Sequence, residues 1–486
     1  MSQKLAHILD SIAVLNSNWD KNAEISRLSF DSRDVDSNTL FFAVVGSTTD
    51  GHKYIDQALA KGCINIVVES DFISDDCNVV RVQDSAQALS IGAHNFYGKP
   101  SQKVKLIGIT GTNGKTTTTS LLFNLFMQMG HKSGLISTVV NKIGNIDIPA
   151  THTTPNPIAL CDLLNQMVEQ NCTHVFMEVS SHAIHQKRMF ALNYAIGAFT
   201  NITHDHLDYH KTFKEYIDVK KSFFDHLGPN AIALTNADDK NGTVMLQNTK
   251  ATKYTYALKS PADYKGKIIE NELSGLILQL NGTEVYTQLI GEFNAYNLLA
   301  VFGIAHLLEL DKLEVLTQMS TLKSVDGRFE FFKSGGDVTC IVDYAHTPDA
   351  LENVLKTILS FKKAGTKVLT IVGCGGDRDK TKRPKMAAIA NTMSDQSILT
   401  SDNPRTENPD TILEEMEGGI DSEGLMKNIT ISDRKEAIKL GVSLAKAGDV
   451  LLIAGKGHEK YQDINGTKHD FDDMAIAKVL FIKIKK

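Results

Sequence analysis

The chain has 486 residues, of which 42 % are hydrophobic and 22 % charged, and its formal net charge is −6. That composition is ordinary for a soluble globular protein and argues against broad binding to nucleic acid or to an anionic membrane surface, both of which need basic patches. At ~150 residues per domain the length predicts about three domains.

No apolar run approaches the ~18 residues of a membrane helix. The N-terminal stretch MSQKLAHILDSIAVLNSNWD lacks the basic region and uninterrupted apolar core of a signal peptide. The cysteines at 63, 77, 161, 172, 340 and 374 form no Cys-x-x-Cys pair, so neither a zinc ribbon nor a thioredoxin-type motif is supported. They read as reduced, buried thiols, which predicts a cytoplasmic protein without membrane insertion.

Short apolar runs alternate with amphipathic stretches almost throughout, which predicts an α/β fold. A first unit over 1–100 contains the strands TLFFAVVG, CINIVVES and NVVRVQ, and NFYGKPSQKVK reads as a linker. A central unit over 101–333 opens on VKLIGIT and continues through HVFMEVS, IGAFTNIT and AIALTNADD. It then turns more polar and β-like, ending near VDGRFEFFKSGG. A third unit over 334–486 alternates strictly. VTCIVDYA precedes the helix after Pro348, KVLTIVGCGG the helix from Arg383, and SILTSDNP the helix from Asp410, while VLLIAGKG follows RKEAIKLGVSLAKAG. This is a doubly wound, Rossmann-like pattern, in which ligands sit beyond the carboxyl ends of the strands.

The stretch LIGITGTNGKTTTTSLLFNLFMQMG, residues 106–130, reads strand, glycine-rich turn, helix. Backbone N–H groups of such a turn converge on phosphate oxygens, and the helix adds its positive end. Gly111, Thr112, Asn113, Gly114, Lys115 and Thr116 supply the loop, a cation for the outer phosphates and a hydroxyl for Mg²⁺. The common pattern has glycine five residues before Gly114, where this chain has Ile109.

Glu178 ends an apolar strand in FMEVSSHAIHQKR, the place of a Mg²⁺ ligand beside a phosphate loop. In TNITHDHLDYH, the residues His204, His206 and Asp208 raise a rival reading, the start of a hydrolase zinc site, but Tyr209 stands where that motif has histidine. In the third unit, polar clusters stand at successive strand ends. Arg378 and Arg405 suit carboxylates, and Glu407 or Glu459 suits an ammonium, which points to a small zwitterionic ligand.

GTNGKTTTT, EVSSHA, THDHLDYH, GEFNAYNLLA, VDGRFE, DYAHTPDAL, GCGGDRDK, DNPR and GKGHE, with FDSRDV near the start, together resemble the signatures of the Mur ligase family of peptidoglycan synthesis. The resemblance implies three domains: an N-terminal α/β domain for a UDP-sugar, a central P-loop-type ATPase with a mostly parallel sheet, and a Rossmann-like domain for an amino acid. It implies that ATP phosphorylates the glutamate side-chain carboxylate of a UDP-linked dipeptide, and that the amine of a diamino acid attacks the acyl phosphate. Mg²⁺ and ATP are therefore expected, with a monomeric chain acting on small molecules.

Carried over by motif, Lys115, Glu178, His206 and Lys220 are the expected catalytic residues. Thr116, Glu178, His206 and a carbamylated Lys220 are the expected metal ligands. Lys220 lies four residues after Tyr216, with Lys221 as the alternative. The expected ATP contacts are Gly111, Thr112, Asn113, Gly114, Lys115, Thr116, Thr117, Asn294, Arg328, Asp343 and His346. Those for the UDP-sugar are Phe30, Ser32, Ser47, Thr48, Thr49, Thr153, Thr154, Ser180, Gln186 and Arg188; His152 replaces an asparagine of some relatives. The amino acid is expected at Arg378, Asp402, Asn403, Pro404, Arg405, Gly455 and Glu459. DNPR resembles the version that selects meso-diaminopimelate, and the chemistry agrees. Arg405 can neutralise that substrate's second carboxylate and would repel the terminal ammonium of L-lysine.

Overall fold

The computed structural model describes residues 2–16, 19–46 and 49–484. Ser47 and Thr48, two of the expected sugar contacts, lie outside the described residues.

Among the described residues three larger sheets, beside two two-stranded ones, organise the fold. The first has four parallel strands, Arg27–Ser29, Thr39–Phe42, Asn65–Val68 and Asn78–Arg81, in sequence order. The helix Ser85–Phe96 packs its apolar side on them, capped by Asp84, whose carboxylate accepts from the Gln87 N–H.

The second sheet has 11 strands. Its parallel middle places Lys105–Thr110 between His174–Glu178 and Ile196–Phe199. All three are almost wholly buried, because helices cover both faces, and so their sequences read as continuous apolar runs rather than alternating ones. The polar, β-like stretch expected after AIALTNADD includes the strands Tyr264–Glu272, Gly275–Leu280 and Thr283–Thr287, joined as antiparallel hairpins at one edge.

The third sheet runs Glu330–Lys333, Thr339–Asp343, Val450–Ala454, Val368–Val372, Gln396–Thr400 and Asn428–Ile431. Its first pair is antiparallel and the remainder parallel. Here the structure corrects the sequence reading. Glu330–Lys333 was expected to close the central unit, but it is the edge strand of the third sheet. The five residues between it and Thr339 are too few for a crossover and long enough for a hairpin, so the two strands pair antiparallel. The fold is therefore three-part α/β, built mainly on parallel sheets, and the strand ends of the second and third sheets face a shared cavity.

Candidate functional site

That cavity has a volume of about 980 Å³. The phosphate-type loop lines one side of it. Gly114, at φ +86°, lets the chain turn into the helix Lys115–Gln128, whose first turn carries no side-chain cap and leaves its N–H groups toward the loop. Gly111 is required by space, since a Cβ there would sit 1.9 Å from Thr200 Oγ1. Ile109 is a buried strand residue paired with Glu178 and Ala198, so the glycine of the common pattern has no role in this turn. The Lys115 ammonium donates to the carbonyls of Gly111 (2.9 Å) and Thr112 (2.7 Å), which keeps it over the loop.

Glu178 is fully buried, and among the described residues its side-chain hydrogen bonds come from threonines rather than from a cation. Its carboxylate accepts from Thr138 N (2.8 Å), Thr138 Oγ1 (3.2 Å) and Thr116 Oγ1 (3.0 Å). Arg328 also donates to Thr116 Oγ1, at 3.1 Å, and its guanidinium lies 4.4 Å from the centre of the Tyr344 ring. Thr138 was missed by sequence reasoning, because nothing in its own neighbourhood marks a threonine as the partner of a distant carboxylate.

Lys220 and Lys221 part company in the structure. The helix Phe213–Asp225 starts at Thr212, whose hydroxyl accepts from the Glu215 N–H, and buries Tyr216, Lys220, Phe223 and Phe224. These positions share one helical face. Lys220 is 1 % exposed and donates to the Gly111 carbonyl at 2.9 Å, whereas Lys221 pairs with Asp225 at 2.7 Å. Burial, and then the neighbouring Lys115 charge, push the Lys220 ammonium well below its ordinary pKa. The spacing from Tyr216 to Phe223 and Phe224 was the signal that separates the two lysines.

The histidines do not form the rival zinc site. His204 pairs with Asp379 of the third unit at 3.2 Å, and His206 pairs with Asp205 at 3.3 Å. Among the described residues no three His, Cys, Asp or Glu side chains converge as a metal site. His206 adopts φ +55° at the start of a short helix, and burial lowers its pKa to about 3, so it is a neutral imidazole facing the cavity.

Of the expected sugar contacts, Thr153, Thr154, Ser180 and Arg188 line the cavity. Arg188 donates to the Thr154 carbonyl and to the side chain of Gln186, which stands behind it. Phe30, Ser32 and Thr49 do not line the cavity; Ser32 donates to Gln57 in the first unit. Two expected ATP contacts, Asn294 and Asp343, also face elsewhere. Asn294 donates to the Ile290 carbonyl and accepts from Asn297, so it braces the helix behind the loop. The Asp343 carboxylate, raised by burial to about 6, accepts from the N–H groups of Phe329 and Ala345, and so shapes the turn that presents Arg328. Thr117 is buried in the helix and does not line the cavity, whereas His346 does.

The opposite wall comes from the third sheet. Arg378, Asp402, Asn403, Arg405, Gly455 and Glu459 all line it; Pro404 does not. Glu407 is not available for an ammonium. It is committed to Arg383 (2.9 Å) and Lys380 (3.2 Å), and the Arg383 bond holds its carboxyl down at about 2. A second element was missed, the hairpin Tyr461–Ile464 with Thr467–Asp470. Its turn residues, Asn465 (φ +50°) and Gly466 (φ +77°), are the Asn-Gly pair that favours a two-residue hairpin turn, so the signal was present. The hairpin clasps the Arg405 backbone: Arg405 N–H donates to the Asp463 carbonyl at 3.0 Å, and Asn465 N–H donates to the Arg405 carbonyl at 2.8 Å. That clasp holds Arg405 at φ +50°.

The two walls are joined by bonds between units. Asn113 of the loop donates to Asp349 at 2.9 Å, alongside the His204–Asp379 pair and the Arg328–Thr116 bond. Among the described residues no helix is long and apolar enough to cross a membrane.

Comparison with known proteins agrees with this architecture. Residues 24–97 match the Mur ligase family catalytic domain, 109–305 the Mur ligase middle domain, and 327–457 the Mur ligase glutamate ligase domain. The chain is 51 % identical over 486 residues to the UDP-N-acetylmuramoyl-L-alanyl-D-glutamate–2,6-diaminopimelate ligase of Cytophaga hutchinsonii, covering 99 % of this chain and 100 % of that one. A solved structure of a ligase of the same name superposes with a TM-score of 0.70 at 30 % identity, over 100 % of both chains. Mycobacterium tuberculosis folylpolyglutamate synthase, solved with ADP and AMPPCP, shares the fold alone. Its TM-score is 0.62 at 16 % identity, over 76 % of this chain and 92 % of that one. Three domain matches in order and half-identity over the full length establish that the chain belongs to the Mur ligase family.

Proposed function

We propose that this chain is an ATP-dependent ligase that joins meso-diaminopimelate to UDP-N-acetylmuramoyl-L-alanyl-D-glutamate through an acyl phosphate. One observation carries the reading: a single cavity is lined both by the phosphate loop, Gly111 to Thr116, and by Arg378, Asn403, Arg405 and Glu459. A carboxylate phosphorylated at the loop then lies within the same enclosure as the amine that attacks it, which is the proximity such a reaction needs.

These roles are proposed for the residues. The loop N–H groups and Lys115 bind and orient the ATP phosphates and offset the charge that builds when the substrate carboxylate attacks. Arg188, Thr153, Thr154 and Ser180 bind the UDP-linked substrate, with Phe30, Ser32 and the 47–49 segment holding its distal end. Arg405 and Arg378 receive carboxylates of the incoming amino acid, and Glu459 with Asn403 receives an ammonium.

The donor set suits Mg²⁺. Thr116 and Glu178 offer a hydroxyl and a buried carboxylate 3.0 Å apart, hard oxygens for an ion that leans on one or two carboxylates and the substrate phosphates. His206 and, once carbamylated, Lys220 stand on the same cavity. Bound Mg²⁺ would neutralise phosphate charge. Lys220, buried with its pKa depressed, favours the neutral amine that reacts with CO₂. The cysteines are free and all but the half-buried Cys77 are buried, as suits a reducing cytoplasm. The chain is proposed to act as a monomer.

The test is phosphate release with ATP, Mg²⁺ and the UDP-dipeptide, offering meso-diaminopimelate and L-lysine separately. Release with diaminopimelate alone is expected. Release with lysine alone would overturn the assignment of Arg405 to a distal carboxylate, and release with neither would overturn the reaction.

A further inference from the structure

The loop after the strand Val450–Ala454 carries a lysine that the reaction as described leaves unused. Lys456 is 0 % exposed and does not line the cavity. Its ammonium donates to Asn403 Oδ1 at 3.0 Å and to Glu459 Oε2 at 3.3 Å, and Asn403 Nδ2 donates to the same Glu459 oxygen at 2.7 Å. The three side chains close a triangle, with two members facing the cavity and the third behind them. We propose that Lys456 is a positioning residue that holds the Glu459–Asn403 pair in place to receive the ammonium of the incoming diamino acid. The inference rests on the amino-acid site proposed above.

Burying an ammonium costs several kcal/mol unless its partners are well placed, so Lys456 is an expensive way merely to fill space. The charges around it explain its use. Burial raises the Glu459 pKa, and the Asp402 carboxylate, beyond the end of the strand Gln396–Thr400, raises it further, while Lys456 opposes both. The other groups on this node are His458 on the same loop, Tyr344 after the strand Thr339–Asp343, Tyr461 and Asp463 of the hairpin, and Arg434. The Tyr461 ring centre lies 5.5 Å from the Lys456 ammonium, and the Asp463 N–H donates to Asn403 Oδ1 at 2.9 Å. The fully buried Arg434 is committed to Asp473 and to the Ala454 carbonyl. His458 is held neutral by burial, with a pKa of about 3. Among the described residues Lys456 is therefore the cation bonded to Glu459. Without it, burial and the Asp402 charge would raise the Glu459 pKa unopposed, which favours the neutral carboxyl group, and that attracts an ammonium weakly.

The experiment uses the full-length protein, measuring phosphate release against meso-diaminopimelate concentration across pH for wild type, K456M, E459Q and K456M/E459Q, with calorimetric titration of diaminopimelate alongside. At neutral pH K456M should raise the KM for diaminopimelate about 10- to 150-fold, the worth of a charged hydrogen bond, with the KM for ATP near wild type. That excess should shrink as pH rises, because Glu459 regains its charge. E459Q should show the same loss with no recovery. The double variant, which removes both charges together and so leaves none buried alone, should be no worse than E459Q. A wild-type KM in K456M, a pH-independent rise, equal losses for ATP and diaminopimelate, or a double variant worse than E459Q would overturn the inference. Wild-type protein without turnover would overturn the reaction and the inference with it; turnover with unchanged KM in K456M overturns the inference alone.

Discussion

Replacing Arg405 with alanine isolates what its guanidinium contributes, because the backbone there is held independently of the side chain. Both clasping hydrogen bonds, to Asp463 and from Asn465, are main-chain. The strain of a side chain at φ +50° is borne equally by arginine and alanine, since both carry a Cβ. What is lost is the bond to the Gly376 carbonyl (2.7 Å) and, with substrate bound, the forked contact to the distal carboxylate. A charged hydrogen bond contributes about 1.5–3 kcal/mol, so the KM for meso-diaminopimelate should rise about 10- to 150-fold. The KM for ATP should stay near wild type, because the Arg405 hydrogen bonds among the described residues are with Gly376, Asp463 and Asn465, away from the phosphate loop. R405K, which keeps the charge and loses the fork, should fall between. Turnover with L-lysine should improve relative to diaminopimelate in R405A, since a repulsive cation is gone. Coupled phosphate-release kinetics with each substrate varied in turn measures all of these. Equal losses for ATP and diaminopimelate, or an unchanged preference against lysine, would refute the reasoning and make Arg405 a purely structural residue.

Three further outcomes are expected. Lys115→Ala should lower kcat by about 100- to 1000-fold, the usual loss when a preorganised charge-stabilising group is removed; phosphate release at the normal rate would exclude the loop from the chemistry. Gly111→Ala places a Cβ 1.9 Å from Thr200 Oγ1, so the loop must shift, and nucleotide binding measured by calorimetry should be lost while the circular dichroism spectrum stays native; intact ATP binding would contradict the geometry. Lys220→Met should abolish turnover yet raise the thermal midpoint in CO₂-free buffer at neutral pH. The folded-state pKa of Lys220 lies well below its unfolded value of about 10.4, so the folded chain binds fewer protons and this lysine costs stability below that value. The gain should shrink as pH rises toward the unfolded value, and a lowered midpoint at neutral pH would refute the sign.

Much of this protein is legible in its sequence wherever the signal is local. The run Leu106–Gly130 contains its strand, turn and helix in one piece, and the alternation after residue 334 announces a parallel sheet, because each βαβ unit writes its own pattern. Lys220 is implied only by the resemblance, with Lys221 as the alternative, and it is burial on the helical face of Tyr216, Phe223 and Phe224 that separates the two. The edge strand Glu330–Lys333 was assigned to the wrong unit, because a strand carries no mark of the sheet it joins.

The cavity is a different matter. Glu178 meets Thr138 and Thr116, Asn113 meets Asp349, and Lys456 meets Asn403, each across tens or hundreds of residues. Whether a polar residue faces the cavity or is consumed inside the fold depends on such distant partners. Glu459 stays at the cavity, whereas Glu407 is taken by Arg383, and Asp343 turns inward to cap the Arg328 turn. The sequence by itself determined the elements and the chemistry on offer, since backbone periodicity and turn chemistry act over a few residues. Only the tertiary structure decided which of those groups share a cavity, since hydrogen bonding and burial are settled by neighbours in space.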